Sequence, residues 1–289
     1  MIILLVLLMA CIPKEETLLR PVLTHINNLP EILSENSGMT EENEMIWFIN
    51  DSGNEPALYG YDAKSNEVKR SVIIAGAYNT DWEDVTHNTV NIFIGDFGNN
   101  AGNRNDLKIF MVNKTLLQSD LTTVAASGVI NFKYEDQTNF SSAPENTSFD
   151  CEAFFATNDS IYLFTKDWVN FRTRIYSLPA KAGTFVAKFR KQLNVNGLIT
   201  SATMSNSDNR KLLLLGYTPI YPFLWTFNNF DPDQMTYDEG SRVDFNSFLA
   251  TQTEGILFSS NGTIYISSEA ITGTSFNKPA EIFRIEMKN

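Results

Sequence analysis

Two series of short apolar runs recur along this 289-residue chain in step with each other. Anchors of the first series stand at Ser37, Glu83, Glu152, Ser201 and Glu254, spaced by 46, 69, 49 and 53 residues. Runs of the second series (EMIWFIND, NIFIGD, SIYLFTK, KLLLLGY, TIYISSE) close on Asp51, Asp96, Lys166, Tyr217 and Glu269, spaced by 45, 70, 51 and 52 residues. Unrelated segments have no reason to keep such register, so both series belong to one repeated unit. The single long interval carries its surplus in residues 135–150, EDQTNFSSAPENTSFD, a polar stretch of turn composition.

Third runs follow (ALYGYD, LKIFMVN, TRIYSLP, FLWTFNN, AEIFRIEM), then weaker fourth ones such as EVKRSVIIA and GVINFKYE. Asn, Asp, Gly, Ser and Pro bound these runs and no long 3.6-residue period appears, so they read as strands. A helix-free, four-stranded unit of roughly forty to fifty residues is the mark of a β-propeller. The last unit has three strands before Asn289, and residues 17–26, TLLRPVLTHI, supply a spare strand that completes it and closes the ring. The expectation is an all-β chain with five four-stranded blades, near 30–75, 83–135, 151–195, 201–245 and 254–289 plus 17–26. Six blades is the alternative if the long interval merges two units.

In a propeller the innermost strands line the channel, so equivalent positions become neighbours around a ring. Ser37, Glu83, Glu152, Ser201 and Glu254 form one expected ring; Asp51, Asp96, Lys166, Tyr217 and Glu269 form a second beside it. Lys166 is the only cation in either series, and carboxylates crowded together raise one another's pKa. Two chemistries use such a cluster. Glu83, Glu152 and Glu254 suit a hard cation, Ca²⁺ or Mg²⁺, with Asp51, Asp96, Tyr217 and Glu269 as ligand contacts. Alternatively Glu83, Glu152, Glu254 and Lys166 are catalytic candidates, because a carboxyl pair works as acid and base on a glycosidic bond. The structural alternative is that these carboxylates cap strand ends.

The stretch Asp96–Asn103, DFGNNAGN, has the oxygen-rich look of a cation loop. Its spacing departs from the twelve-residue calcium loop, since Leu107 stands where the closing Glu belongs. It reads as a tight Gly/Asn turn, and Asp51-Ser52-Gly53-Asn54-Glu55 reads the same way.

NDSGNEPALYGYD, NTDWEDVT and IGDFGNNAGNR together resemble motifs of bacterial propeller lipoproteins and secreted propeller proteins, broadly of the phytase-like and TolB-like sort. The resemblance covers most of residues 30–289. It implies the propeller fold and carries no reaction. Residues 1–11, MIILLVLLMAC, are too short an apolar run to span a bilayer and look like a signal-peptide core. Leu8-Met9-Ala10-Cys11 resembles a bacterial lipobox, which implies a lipid on Cys11, attachment to a membrane and an outer-membrane, surface-facing location. Ile12-Pro13-Lys14-Glu15-Glu16 is similar to the export signal of some surface lipoproteins. No Lys or Arg precedes the apolar run, so the true start is expected a few codons upstream. Residues 12–289 then form a single domain.

A formal charge of −12 argues against nucleic acid, which needs clustered Lys and Arg. Cys151, between Asp150 and Glu152, reads as a buried inert thiol without a disulfide partner. His25 and His87 fall in different strands, leaving no His-rich metal site and no Ser-His-Asp set. No phosphate or dinucleotide loop is present, so no nucleotide or organic cofactor is indicated. Trp47, Trp82, Trp168 and Trp225 read as packing, with Trp168 placed at a blade mouth. Function is expected to be binding of a small molecule or protein around a divalent cation. The alternatives are a hydrolase of glycosides or phosphoesters, and a protein-interaction platform built on residues 135–150 with the channel empty.

Overall fold

The computed structural model describes residues 20–205, 210–246, 252–273 and 277–288. The signal-like run, Cys11 and the first three residues of the expected closing strand lie outside these. Among the described residues no helix is long and apolar enough to cross a membrane. The chain is all-β and forms a β-propeller, with one four-residue helix, Lys114–Leu117, and a 3₁₀ turn, Glu31–Leu33.

Five antiparallel units appear in the strand order. Their innermost strands are Asn36–Glu42, Trp82–His87, Asp150–Ala156, Leu198–Met204 and Thr253–Phe258. Each touches the one before and after it, and the fifth returns to the first. This arrangement is consistent with the expected five blades. In the last blade the outermost strand is Arg20–Asn28, paired antiparallel with Glu281–Lys288. The first described strand thus closes the last blade, as the three-stranded final unit required, and it runs on to Asn28, past the expected end at residue 26.

Burial follows the strand pleat. The second strands are nearly all buried, as in Met45–Asn50 and Asn91–Asp96, because they are covered on both faces by neighbouring blades. Outer strands alternate, as Glu67–Ala75 and Gly183–Leu193 do, because one face meets solvent. Five apolar clusters result, one between each pair of adjacent blades. Trp82 is fully buried between blades 1 and 2, and Phe97, Phe132 and Phe154 meet edge-to-face between blades 2 and 3. The sequence reading of Trp82 as packing holds.

Edges are covered as well. Thr123–Ala125, from the connection inside blade 2, adds in parallel to the outer strand of blade 1. The outer strands of blades 2 and 3, Gly128–Tyr134 and Gly183–Leu193, also pair in parallel. Unpaired strand edges invite association, and these pairings remove two of them.

Removing residues up to Asn28 strips the edge of Glu281–Lys288 and uncovers Phe283, which packs against Leu23. A chain beginning at Leu29 is expected to unfold at lower temperature and to associate through the bared edge. Calorimetry and size-exclusion chromatography check this, and an unchanged monomer with an unchanged Tm would contradict the closing role.

Candidate functional site

Every inner strand breaks register at the same height. The breaks fall between Asn36 and Gly38, Trp82 and Asp84, Cys151 and Ala153, Ile199 and Ser201, and Thr253 and Gly255. The residues left unpaired are Ser37, Glu83, Glu152, Thr200 and Glu254. A β-bulge sets two residues against one and re-aims the extra side chain. Here it turns the chain's acidic anchors into the mouth of the channel, where Ser37, Glu83, Glu152 and Glu254 line one pocket of about 420 Å³. The fourth expected position is corrected by one residue: Thr200 is the bulge residue in place of Ser201. Thr200 is buried and donates from Oγ1 to the Thr253 carbonyl at 2.6 Å, fastening blade 4 to blade 5.

The residues after the bulges are Gly38, Asp84, Ala153, Ser201 and Gly255. Four are small, and the Asp84 carboxylate occupies the space they leave. It accepts from Phe154 N at 3.2 Å and Val85 N at 2.9 Å, and from Ser201 Oγ at 3.3 Å. Ser201 Oγ in turn accepts from Ile256 N at 3.2 Å. A Cβ on Gly38 would lie 2.6 Å from Asp84 Oδ1, so only glycine lets blade 1 approach. Asp84 therefore plugs the channel beneath the bulge residues that line the pocket. Burial holds its carboxyl well above the ordinary range, against the opposing effect of these hydrogen bonds.

Above this plug the acidic residues fall into two groups. On the side of blades 1 and 2, Asp51, Asp81 and Glu83 bring one carboxylate oxygen each to within 4.8 Å of one another. Glu83 is only 7% exposed, and no described residue donates a hydrogen bond to it. Burial pushes its carboxyl well above the usual value, reinforced by the negative charges of Glu152, Asp51, Asp81 and Asp150. Burial and then Asp51 push Asp81 up to about 7, although Arg104 opposes them. Burial likewise raises Asp51.

On the other side sits Lys166, with Nζ 3.1 Å from Glu152 Oε1. The ammonium lies 5.0 Å from the Trp168 ring centroid and 5.3 Å from that of Tyr217. Burial works against its charge, but Glu152, Tyr217 and Glu254 hold its pKa well above the ordinary lysine value. Trp168 is pinned by Nε1 donating to Asp150 Oδ2 at 2.7 Å, and Asn99 N donates to Asp150 Oδ1 at 2.7 Å. Glu254 and Glu269 complete the wall. Burial is the main cause that pushes Glu254 up to about 8 and Glu269 up to about 7, with Lys166 opposing both.

Asp96 does not line this pocket. Its carboxylate is fully buried, ion-paired with Arg104 Nη2 at 2.9 Å, and accepts from Asp81 N at 3.2 Å. Its place is behind Asp81, which it positions. The expected metal set also divides: Glu83 joins Asp51 and Asp81, whereas Glu152 pairs with Lys166. Asp81 escaped the sequence register because it precedes its bulge by two residues, inside DWED. Asp150 escaped because it stands before the anchor of its own strand.

The stretch after Asp96 is a turn, as its composition indicated. Gly102 has φ of 67° and donates to the Asn99 carbonyl, while Asn99 Oδ1 accepts from Arg104 N at 2.8 Å. The long insert folds over it: Ala143 N donates to the Ala101 carbonyl, Glu145 N to the Asn100 carbonyl, and Gln137 Nε2 to the Gly102 carbonyl. Pro144 and Glu145 thereby become pocket wall. Residues 135–150 thus help to build the pocket.

His87 lies at the far end of the channel with Nδ1 2.7 Å from Thr40 Oγ1, its pKa lowered to about 4 by burial and then Lys114. His25 is exposed on the outer strand of the last blade, so the two do not meet. Cys151 is a buried free thiol whose pKa burial raises further.

No family model matches this chain, and no curated protein matches it. Among solved structures it is similar to a glucose dehydrogenase (8% identity, 92% of this chain and 99% of that one, TM-score 0.49). It is also similar to the Myceliophteria thermophila Cps50 (Swd1) β-propeller domain (12% identity, 90% and 88%, TM-score 0.43). A third similarity is to Kuenenia stuttgartiensis hydrazine synthase (9% identity, TM-score 0.43), in which 88% of this chain spans 64% of that one. Likeness this distant says nothing of chemistry.

Two outcomes are expected. Asp84→Ala strands buried donors on blades 3 and 4, at about 1–3 kcal/mol each, so chemical denaturation should show a loss of about 2–4 kcal/mol. Asp81, Glu254 and Glu269 have folded pKa values raised above 3.8 or 4.5, so the native state binds more protons than the unfolded state. Their contribution is fully present below about pH 4 and disappears as pH rises through about 7–8. Metal-free protein should therefore lose more stability between pH 5 and pH 9 than Glu254→Gln does. Equal losses would mean that Glu254 titrates normally.

Proposed function

We propose that this chain is a ligand-binding β-propeller whose acidic pocket holds a divalent cation, Ca²⁺ in the first instance, on Asp51, Asp81 and Glu83. One observation carries the reading: three carboxylates converge within 4.8 Å, and the most buried of them, Glu83, has no hydrogen-bond donor and no ion-pair partner among the described residues. A buried unpaired charge is costly, and a cation removes the cost. Oxygen-only ligands favour Ca²⁺ or Mg²⁺ over zinc, which takes His and Cys. Ca²⁺ accepts six to eight oxygens in loose geometry, so three carboxylates, some bidentate, together with water suit it well. The cation in turn supplies an open coordination position for a ligand. The Leu8-Met9-Ala10-Cys11 pattern supports delivery of the propeller to the cell envelope on a lipid at Cys11.

A second reading, a hydrolase of glycosides or phosphoesters, draws on Glu254 and Glu269. Glu254, pushed up to about 8, keeps a proton at neutral pH as a general acid must, and Glu269, pushed up to about 7, is half protonated there. Hydrolysis of aryl glycosides or aryl phosphates that Glu254→Gln abolishes without unfolding the protein would favour this reading over pure binding.

The cation is tested by calorimetric unfolding of EDTA-treated protein with and without Ca²⁺. At a hundred times the dissociation constant a native-state ligand adds about 2.7 kcal/mol, so Tm should rise by several degrees. Glu83→Gln should raise Tm of the metal-free protein, because it relieves repulsion, and should abolish the response to Ca²⁺. A capping carboxylate would do the reverse, and absence of any Ca²⁺ or Mg²⁺ response in the parent protein sinks the proposal.

A further inference from the structure

The pocket exceeds what an ion needs. Its volume of about 420 Å³ falls in the range of small-molecule pockets, roughly 300–1,000 Å³. The carboxylates of Asp51, Asp81 and Glu83 occupy only one side. The rest of the lining includes Trp168 and Tyr217, the amides of Asn100 and Gln252, and the carboxyls of Glu254 and Glu269. No Leu, Ile, Val, Met or Phe lines it among the described residues.

We propose that the organic ligand of this pocket is a neutral carbohydrate of one or two sugar residues, hydrogen-bonded through its hydroxyls to the amide and carboxyl wall and laid with its C–H face against Trp168. The inference deepens the reading above and rests on it for the identity of the pocket. Three observations narrow the ligand class. A wholly apolar ligand finds only Ala101 and Pro144 as aliphatic surface among the described residues. Among the described residues an anion finds no free cation in the lining, because Lys166 is already paired with Glu152 at 3.1 Å and lies near two rings. A polyhydroxylated ligand finds acceptors in the carboxyls, donors in the amides, and an aromatic face, which is its chemical complement.

The aromatic side is also rigid before any ligand arrives. Trp168 Nε1 is held by Asp150 Oδ2, and Lys166 sits over the indole ring. The next residues are fixed by Asp167, whose buried carboxylate accepts from Ser148 Oγ at 2.8 Å and from Val169 N and Asn170 N at 3.1 Å. This loop leaves Val169 50% and Phe171 45% exposed beside Trp168, with Phe171 at φ 53°. A left-handed conformation at a bulky residue is strained and persists only where the surroundings impose it. Binding energy is then not lost to ordering the platform.

The test is saturation-transfer NMR on the full protein, in Ca²⁺ and in EDTA. The probes are maltose, cellobiose, lactose, xylobiose and N,N′-diacetylchitobiose, with spermidine and inorganic phosphate as charged probes. Saturable binding of at least one disaccharide is expected, weakened about tenfold by Trp168→Ala. Trp168→Ala should keep the fold and the Ca²⁺-induced rise in Tm. If no sugar saturates the protein, or if only spermidine or phosphate does, the carbohydrate assignment is overturned. Sugar binding with no Ca²⁺ response would overturn the cation alone, and a Ca²⁺ response with no sugar binding would overturn this inference alone.

Discussion

Asp84 is the residue on which the top of the molecule depends. Its carboxylate is buried on the axis, where it gathers amides from blades 2 and 3 and a hydroxyl from blade 4, while Gly38 of blade 1 leaves it room. Isolated in an apolar interior such a group would be prohibitive; with three donors it becomes a bolt. Asp84 lies on the axis between the pocket at the mouth and a separate space at the far end, which different residues line. The same step of one residue that sends Asp84 inward sends Glu83 upward, because the bulge between Trp82 and Asp84 separates the two.

The five bulges at one height explain why acidic residues concentrate where they do. Regular strands would point neighbouring residues to opposite faces, and the anchors would pack against adjacent blades. The bulge frees one residue for the mouth in four of the blades, while in blade 4 Thr200 stays buried against blade 5. Three of those residues are glutamates, and the loops add Asp51, Asp81 and Glu269. Lys166 answers part of this charge, with Glu152 as its direct partner. The remainder is left for protons or for a bound cation, which links proton occupancy, metal occupancy and stability in one site.

The propeller itself was legible in the sequence because a repeat of strands leaves a period that survives sequence divergence. The closing role of the N-terminal strand was legible for a similar reason, since a three-stranded last unit demands a fourth strand. Glu83, Glu152 and Glu254 were placed correctly at the mouth by that register. Ser201 was misplaced by one because Thr200 and Ser201 both fit a polar anchor, and only pairing with Leu215 decides between them. Asp96 was misassigned because strand-end position does not reveal direction: Arg104 and Lys108 draw its carboxylate outward. Asp81 was invisible because its partnership with Asp51 joins residues of two different blades.

The sequence by itself determined the fold class, the blade period and the accumulation of acid at one end of the channel, since each is written in local alternation and spacing. Tertiary structure alone decided which carboxylates meet. Convergence of Asp51 with Asp81 and Glu83, pairing of Lys166 with Glu152, and the plug at Asp84 all depend on distances across blades. Those distances are set by bulge geometry and inter-blade packing, which no single strand encodes.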